Sequence, residues 1–179
     1  MSNLTDFFPP SGGGGGLTPK FKEFNSSGTF SPSAALVAAG GYVEVFLVGG
    51  GGRGNSAVAG GAGGEVIIKS MYITSTSNRS VVIGSGGTTN GADGGNSTFN
   101  GITAVGGKGT RYASQENKMG AGWGGNEGES VAGSGVLGYG VGGGTNEAWG
   151  VMTAKANSGQ GSYIGFNGGS GYCLIKWYE

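Results

Sequence analysis

The sequence predicts an all-β fold, a small β-sandwich carrying long, ordered, glycine-rich loops of polyglycine II-like character. Short β-type blocks alternate with dense glycine clusters, as where Tyr42-Val43-Glu44-Val45-Phe46-Leu47-Val48 runs straight into the glycines at 49–52. The chain holds 46 glycines among 179 residues, yet no strict Gly-X-Y repeat runs through it, so collagen is excluded. With 8 Phe, 7 Tyr and 3 Trp it also has the core-building residues that glycine-rich disordered chains lack. Glycine inside a regular element costs about 0.5–1 kcal/mol relative to alanine, so its retention beside well-patterned strands implies a use for the bare backbone.

Two parts are expected along the chain: an N-terminal anchor and linker over 1–19, and a glycine-rich β domain over 20–179. Phe7 and Phe8, ahead of Pro9-Pro10 and a Ser-Gly run to Gly16, form an apolar tip on a flexible tether suited to docking on a larger partner. Lys20 to Phe24, a turn at 25–28 and Thr29-Phe30 read as a small hairpin. Ser33 to Ala39 is the one helical stretch, about two turns long, closed by Gly40-Gly41. Further strands are expected over 42–48, 65–73, 80–83, 97–100, 102–105 and 171–178, at the spacing of a sandwich. Between 106 and 171 strand signals nearly vanish, and side-chain-free backbones there are expected to pack laterally in polyproline II-like form, because the last strand must return to complete the sheet.

Charge is balanced, with 10 basic and 10 acidic residues, which gives no steering toward nucleic acid or an anionic membrane. Arg53, Arg79 and Arg111 are far apart, unlike RNA-binding RGG tracts. The absence of histidine and the single Cys173 exclude a disulfide framework, Cys/His zinc sites and the usual base of a nucleophilic triad. No apolar run approaches the roughly 20 residues of a membrane span, and the N-terminus lacks the basic start of a secretory signal. Synthesis in a cytoplasm is expected.

Most motif matches fail on chemistry. Gly52-Arg53-Gly54-Asn55-Ser56-Ala57 fits a dinucleotide fingerprint after a strand, but the glycine-rich stretch that follows cannot supply the helix N-terminus a pyrophosphate needs. Asn90 to Ser97 lacks the carboxylates of a calcium loop and reads as an Asx-stabilised turn. Glu127 and Glu129 lie on no rigid, separate elements of the kind that hold glycosidase carboxylates. No catalytic residue, metal ligand or cofactor is therefore expected, and the reading is non-enzymatic. Arg111, Tyr112, Trp123, Tyr139 and Trp149 stand out instead, because rings among glycines are unshielded and suit contact with a sugar or a receptor groove. The competing reading has the same rings filling gaps between glycine layers.

Residues 20–179 resemble the glycine-rich domain of bacteriophage tail fibre and adhesin-like receptor-binding proteins. The resemblance rests on the Phe24-to-Phe30 opening, the strand ending at 49–52, Gly60-Gly-Ala-Gly-Gly64, Ile83-Gly-Ser-Gly-Gly87, Gly91 to Phe99, and the closing Gly168 to Tyr178. It implies a virion protein, a homotrimer by analogy with fibres, that meets a bacterial surface glycan or outer-membrane protein through Arg111, Tyr112, Trp123, Tyr139 and Trp149. Other tail or fibre proteins would be its partners, with Phe7 and Phe8 as the anchor. An architectural connector, collar or decoration protein without receptor binding is the alternative. A cellular wall or silk-like protein fits less well, since the glycine clusters share no fixed overall period.

Overall fold

A computed structural model describes residues 16–54, 60–109, 139–140, 154–162 and 166–179. The strands are β1 (Pro19–Phe24), β2 (Gly28–Phe30), β3 (Tyr42–Val48), β4 (Val66–Tyr72), β5 (Arg79–Val82), β6 (Ser97–Phe99), β7 (Ile102–Ala104) and β8 (Tyr172–Tyr178), with one short helix, α1 (Ala34–Ala38). They form two antiparallel sheets, ordered β1-β8-β3-β4 and β2-β5-β6-β7. The expected hairpin over 20–30 does not form. β1 pairs with β8 and β2 with β5, so the bend at 25–27 passes the chain from one sheet to the other. Both segments carry strand signals, and their partners, far away in sequence, override the local turn.

Alternation puts Val43, Val45 and Leu47 of β3 inward, where they meet Val81, Phe99, Ile102 and Ala104 of the second sheet. Phe30 sits edge-on to both Phe99 (5.8 Å) and Trp177 (5.3 Å) and joins the two layers. The helix forms where expected: the Ser33 hydroxyl accepts from Leu36 N–H at the N-cap, and Leu36 is fully buried under the sandwich.

Cys173 lies in this core, and burial pushes its thiol up to about 12. The unfolded chain ionises this thiol near its ordinary value of 9.0, whereas the folded chain resists ionisation. The resulting stability is complete below pH 9 and is lost as pH rises toward 12. Tyr172 is displaced the same way, by burial first and then by its bond to Glu23. Denaturant midpoints are therefore expected to fall steeply above pH 9, and Cys173→Val should flatten that fall. Identical pH profiles for the two proteins would remove Cys173 as the cause.

Beyond one end of the sandwich, period-two strands give way to a second architecture. Segment 49–53 continues from β3 as a central rod ringed by 60–65, 105–109, 92–96, 83–87, 167–171 and 159–162. Gly49 and Gly52 donate to Glu65 and Ala62; Gly50 and Arg53 donate to Gly95 and Ala92; Gly51 donates to Gly169. Central carbonyls in turn accept from Gly87, Gly107 and Ser162. The same neighbour recurs at every third residue, the repeat of a polyproline II-type helix, which has no internal hydrogen bonds and so turns every amide outward. The ring closes through its own bonds: Gly61 and Gly64 to Ser162 and Gly159, Ala62 and Glu65 to Lys108 and Val105, Gly94 to Gly107, Gly95 to Ser85, Gly168 and Gly171 to Gly87 and Gly84, and Gly169 to Gln160. The six-around-one array answers where the backbone amides of so glycine-rich a chain go.

Candidate recognition surface

The sheets hold one end of six of the seven segments in this bundle; 159–162 is held only by its neighbours. Segments 49–53, 83–87 and 105–109 leave β3, β5 and β7, while 60–65, 92–96 and 167–171 enter β4, β6 and β8. The other ends are carried away from the sandwich by about 15 Å, from five residues at ~3.1 Å each. That far end gathers Arg53, Gly60, the Thr88–Gly91 connection, Gly109, Ser162 and Phe166 from sequence-distant parts of the chain.

Arg53 is the first side chain after the central glycine run, so it emerges from the middle of the bundle. Its Nη1 donates to the Thr88 carbonyl and to Asn167 Oδ1 (2.9 Å), tying two ring segments to the centre. Asp93 accepts from Gly109 N–H (2.9 Å) and pairs with Lys108 Nζ at 2.6 Å. Both side chains of that pair are largely solvated, which limits its contribution to at most about 1 kcal/mol. Asn96 accepts from Gly106 N–H and Glu65 from Val105 N–H. Asp93 and Asn96 thus bond to a neighbouring segment, where a local Asx turn was expected; the tight turn itself lies just upstream, closed by Ala92 N–H on the Thr89 carbonyl. Gly52 and Arg53, which open the apparent dinucleotide fingerprint, direct their amides to Ala62 and Ala92, so neither N–H is open to a phosphate. Among the described residues no three His, Cys, Asp or Glu side chains converge on a metal-sized site.

A family described as a glycine-rich domain matches residues 24–178, from the last residue of β1 to the last of β8. The chain belongs to the glycine-rich domain family. No curated protein matches it. The matched span of this glycine-rich domain takes in the bundle and every strand of the sandwich but most of β1.

Of the sequence-derived recognition residues, the glycine-rich domain places Tyr139. Its ring stacks on Tyr172 (5.5 Å, 26° between planes) and meets Phe46 edge-on at 4.9 Å, beside Val48, Val66 and Leu174. It is half-buried on the outer face of the first sheet near the seam with the bundle, and Gly140 N–H bonds to the Ser158 carbonyl alongside. Here the ring packs against strand residues of the sheet face, not between glycine layers, and it is not grouped with Arg53 at the far end. Arg111, Tyr112, Trp123 and Trp149 lie outside the described residues, as do Phe7 and Phe8 and the carboxylates Glu127 and Glu129.

Sequence reasoning passed over Arg53, Thr88, Phe166 and Asn167. A signal was present. Four of the six ring segments carry side chains three positions apart, at 62 and 65, 93 and 96, 105 and 108, and 167 and 170. The central run 49–52 is glycine throughout. The clusters do share a period of three, confined to a few residues each.

Proposed function

We propose that this protein is a tail fibre-type virion component that recognises a host cell-surface receptor without enzymatic activity. The observation that carries the reading is the bundle itself, which gathers sequence-distant chain ends on one stiff platform away from the sandwich. A hydrogen-bonded backbone array fixes where those connections start while leaving their side chains free to vary, as a binding surface requires. Arg53, pinned by Thr88 and Asn167, supports the same reading because its rotamer is set before any ligand arrives. The resemblance to tail fibre domains adds the partners: other tail or fibre proteins on one side, a bacterial surface glycan or outer-membrane protein on the other. Synthesis in the host cytoplasm and a homotrimer follow from the same resemblance, and multiple copies would raise modest single-site affinity through avidity.

Fluorescently labelled protein is expected to stain susceptible cells. Arg53→Ala, and separately Trp123→Ala with Trp149→Ala, should reduce staining several-fold with circular dichroism unchanged. Absence of staining by the unaltered protein would remove the receptor reading. The architectural alternative, a connector, collar or decoration, draws on a different observation. The outer face of the first sheet exposes Phe21, Tyr42, Ile68 and Tyr72, large apolar side chains of the kind that contact a neighbouring protein. Gold label on the head, collar or tail shaft of intact virions would favour that alternative, and label at fibre tips would favour recognition.

A further inference from the structure

The two outer faces of the sandwich differ in kind. On the second sheet the outward side chains are Thr29, Ser80, Val82, Thr98 and Thr103, a small and mostly hydroxylated set. On the first sheet, register places three rows outward: Tyr42 with Tyr72; Phe21, Lys176, Glu44 and Ser70; and Glu23, Leu174, Phe46 and Ile68. Phe21 and Tyr72 are each 68% exposed, and Ile68 is 59% exposed. We infer that a second copy of the chain docks on this face, about a two-fold axis that runs along the strands between β8 and β3. The inference stands apart from the receptor reading, and it sets a face-to-face pair in place of the threefold contact that the resemblance implies.

The edges of this sheet, β1 and β4, are guarded against strand addition. Lys20, Lys22 and Lys69 stand in register with Trp177, Ile175 and Val45, on the core side, and inward-pointing charges of this kind keep an edge from accepting a strand. The face remains. Its end nearest the bundle is already covered from within the chain, by the Tyr139 ring against Phe46 and Tyr172. The same surface thus takes a tyrosine of this sequence, and its open part presents two more, Tyr42 and Tyr72.

Charge fixes the partner and its orientation. Glu44 and Lys176 lie directly opposite each other across β3 and β8, both exposed, and among the described residues neither is engaged in an ion pair. Rotation about an axis along the strands exchanges β8 with β3 and β1 with β4. Lys176 of each copy then meets Glu44 of the other, and Phe21 comes over the small Ser70, between Ile68 and Tyr72 of the other copy. Rotation about an axis across the strands would set Lys176 on Lys176 and Glu44 on Glu44, which like-charge repulsion opposes. Of the two, the first arrangement is the self-complementary one, and it points both glycine bundles the same way. The face is about 19 Å wide and no more than about 20 Å deep, so the contact buries less than the roughly 1,200 Å² at which long-lived complexes begin. A reversible pair is the expected state.

The test is analytical sedimentation of the full chain from about 1 to about 500 µM. A monomer–dimer equilibrium with a micromolar-range constant is expected. Glu44→Lys alone and Lys176→Glu alone should each weaken it about tenfold or more, and the double exchange should restore it. The two single variants, mixed, should pair with each other in preference to themselves. Phe21→Ser with Ile68→Ser should leave a monomer, and circular dichroism should not change, because all four side chains are exposed. A monomer at the highest concentration, a trimer, or a dimer indifferent to the Glu44 exchange would overturn the inference. Hydroxyl-radical oxidation of intact virions separates the levels. A monomeric protein whose Phe21 and Tyr72 are protected there gives the face to another protein, which overturns the inference and leaves the architectural reading. A dimer that responds to the charge exchange but stains no cells keeps the inference and removes the receptor reading.

Discussion

Gly51→Ala is expected to lower stability by at least about 3 kcal/mol, at or beyond the upper end of ordinary overpacking costs, or to prevent folding altogether. A Cβ at Gly51 would lie well inside 3.0 Å of the Gln160 carbonyl and of Gly161 N, closer than real Cβ atoms approach. Ordinary overpacking is relieved by neighbouring rotamers, but here the obstacle is backbone. Moving 159–162 away would pull on the bonds Gly61 and Gly64 make to Ser162 and Gly159, and on that of Gly169 to Gln160. Moving the centre would pull on Gly51 itself, which donates to Gly169 and accepts from Gly87. The array has no soft direction. Two controls bracket the effect in the same denaturation series. Gly16→Ala meets nothing within 4 Å and should be neutral, while Gly40→Ala has space but a φ of +98° and should cost about 1–2 kcal/mol. If Gly51→Ala unfolds at the same denaturant concentration as Gly16→Ala, segment 49–53 is not the centre of the bundle.

The same geometry explains what could be read in the sequence. Strand patterning announced β3, β4 and β8 almost to the residue, because a period-two signal over seven residues is strong, and Ser33 announced the helix. Pairing was less legible: β1 and β2 look like a hairpin locally and are separated by partners about fifty residues away or more. Lateral packing of bare backbones was expected, but between 106 and 171, where strand signals fail. It in fact begins at Gly49 and recruits the clusters at 60–65, 83–87 and 92–96, which in isolation look like turns. Three residues per turn over five residues gives each cluster less than two turns of signal, too short to register as a repeat. The side chains at the far end were obscured for a related reason. Asn167 and Thr88 are ordinary loop residues until the array brings them to Arg53.

A bundle of this kind divides labour in a way that suits presentation. Its stability resides in main-chain bonds and close backbone contact, which constrain only the glycines, and in the sandwich beneath, which holds the apolar core. Outward positions such as Ser85, Thr88 and Asn167 are exposed and make no contribution to that core. Substitution there changes the surface at little cost to the fold, whereas substitution at the centre is severe.

The seam where the two periods meet gives the second large effect. Ser97, the first residue of β6, is fully buried; its hydroxyl donates to the Val48 carbonyl at 2.6 Å and accepts from Gly84 N–H at 2.9 Å. Val48 ends β3 just before the central segment, and Gly84 opens segment 83–87, so one hydroxyl joins both sheets to the bundle at its root. Ser97→Ala leaves the Gly84 amide buried without that acceptor, at about 1–3 kcal/mol, and removes a contact to Val48 as well. The expected loss is about 2–3 kcal/mol, with faster amide exchange at Gly84 and Gly171, whose amide bonds to the Gly84 carbonyl. Restoring the hydroxyl on a larger residue should not rescue it, since Gly171 already packs against the Ser97 oxygen and Ser97→Thr adds a methyl beside it. Ser85→Ala, solvent-exposed on the adjoining segment, is the matched control and should stay within about 0.5 kcal/mol of the unaltered protein. Equal stability of Ser97→Ala and Ser85→Ala would mean that the sandwich and the bundle are held together by something other than this hydroxyl.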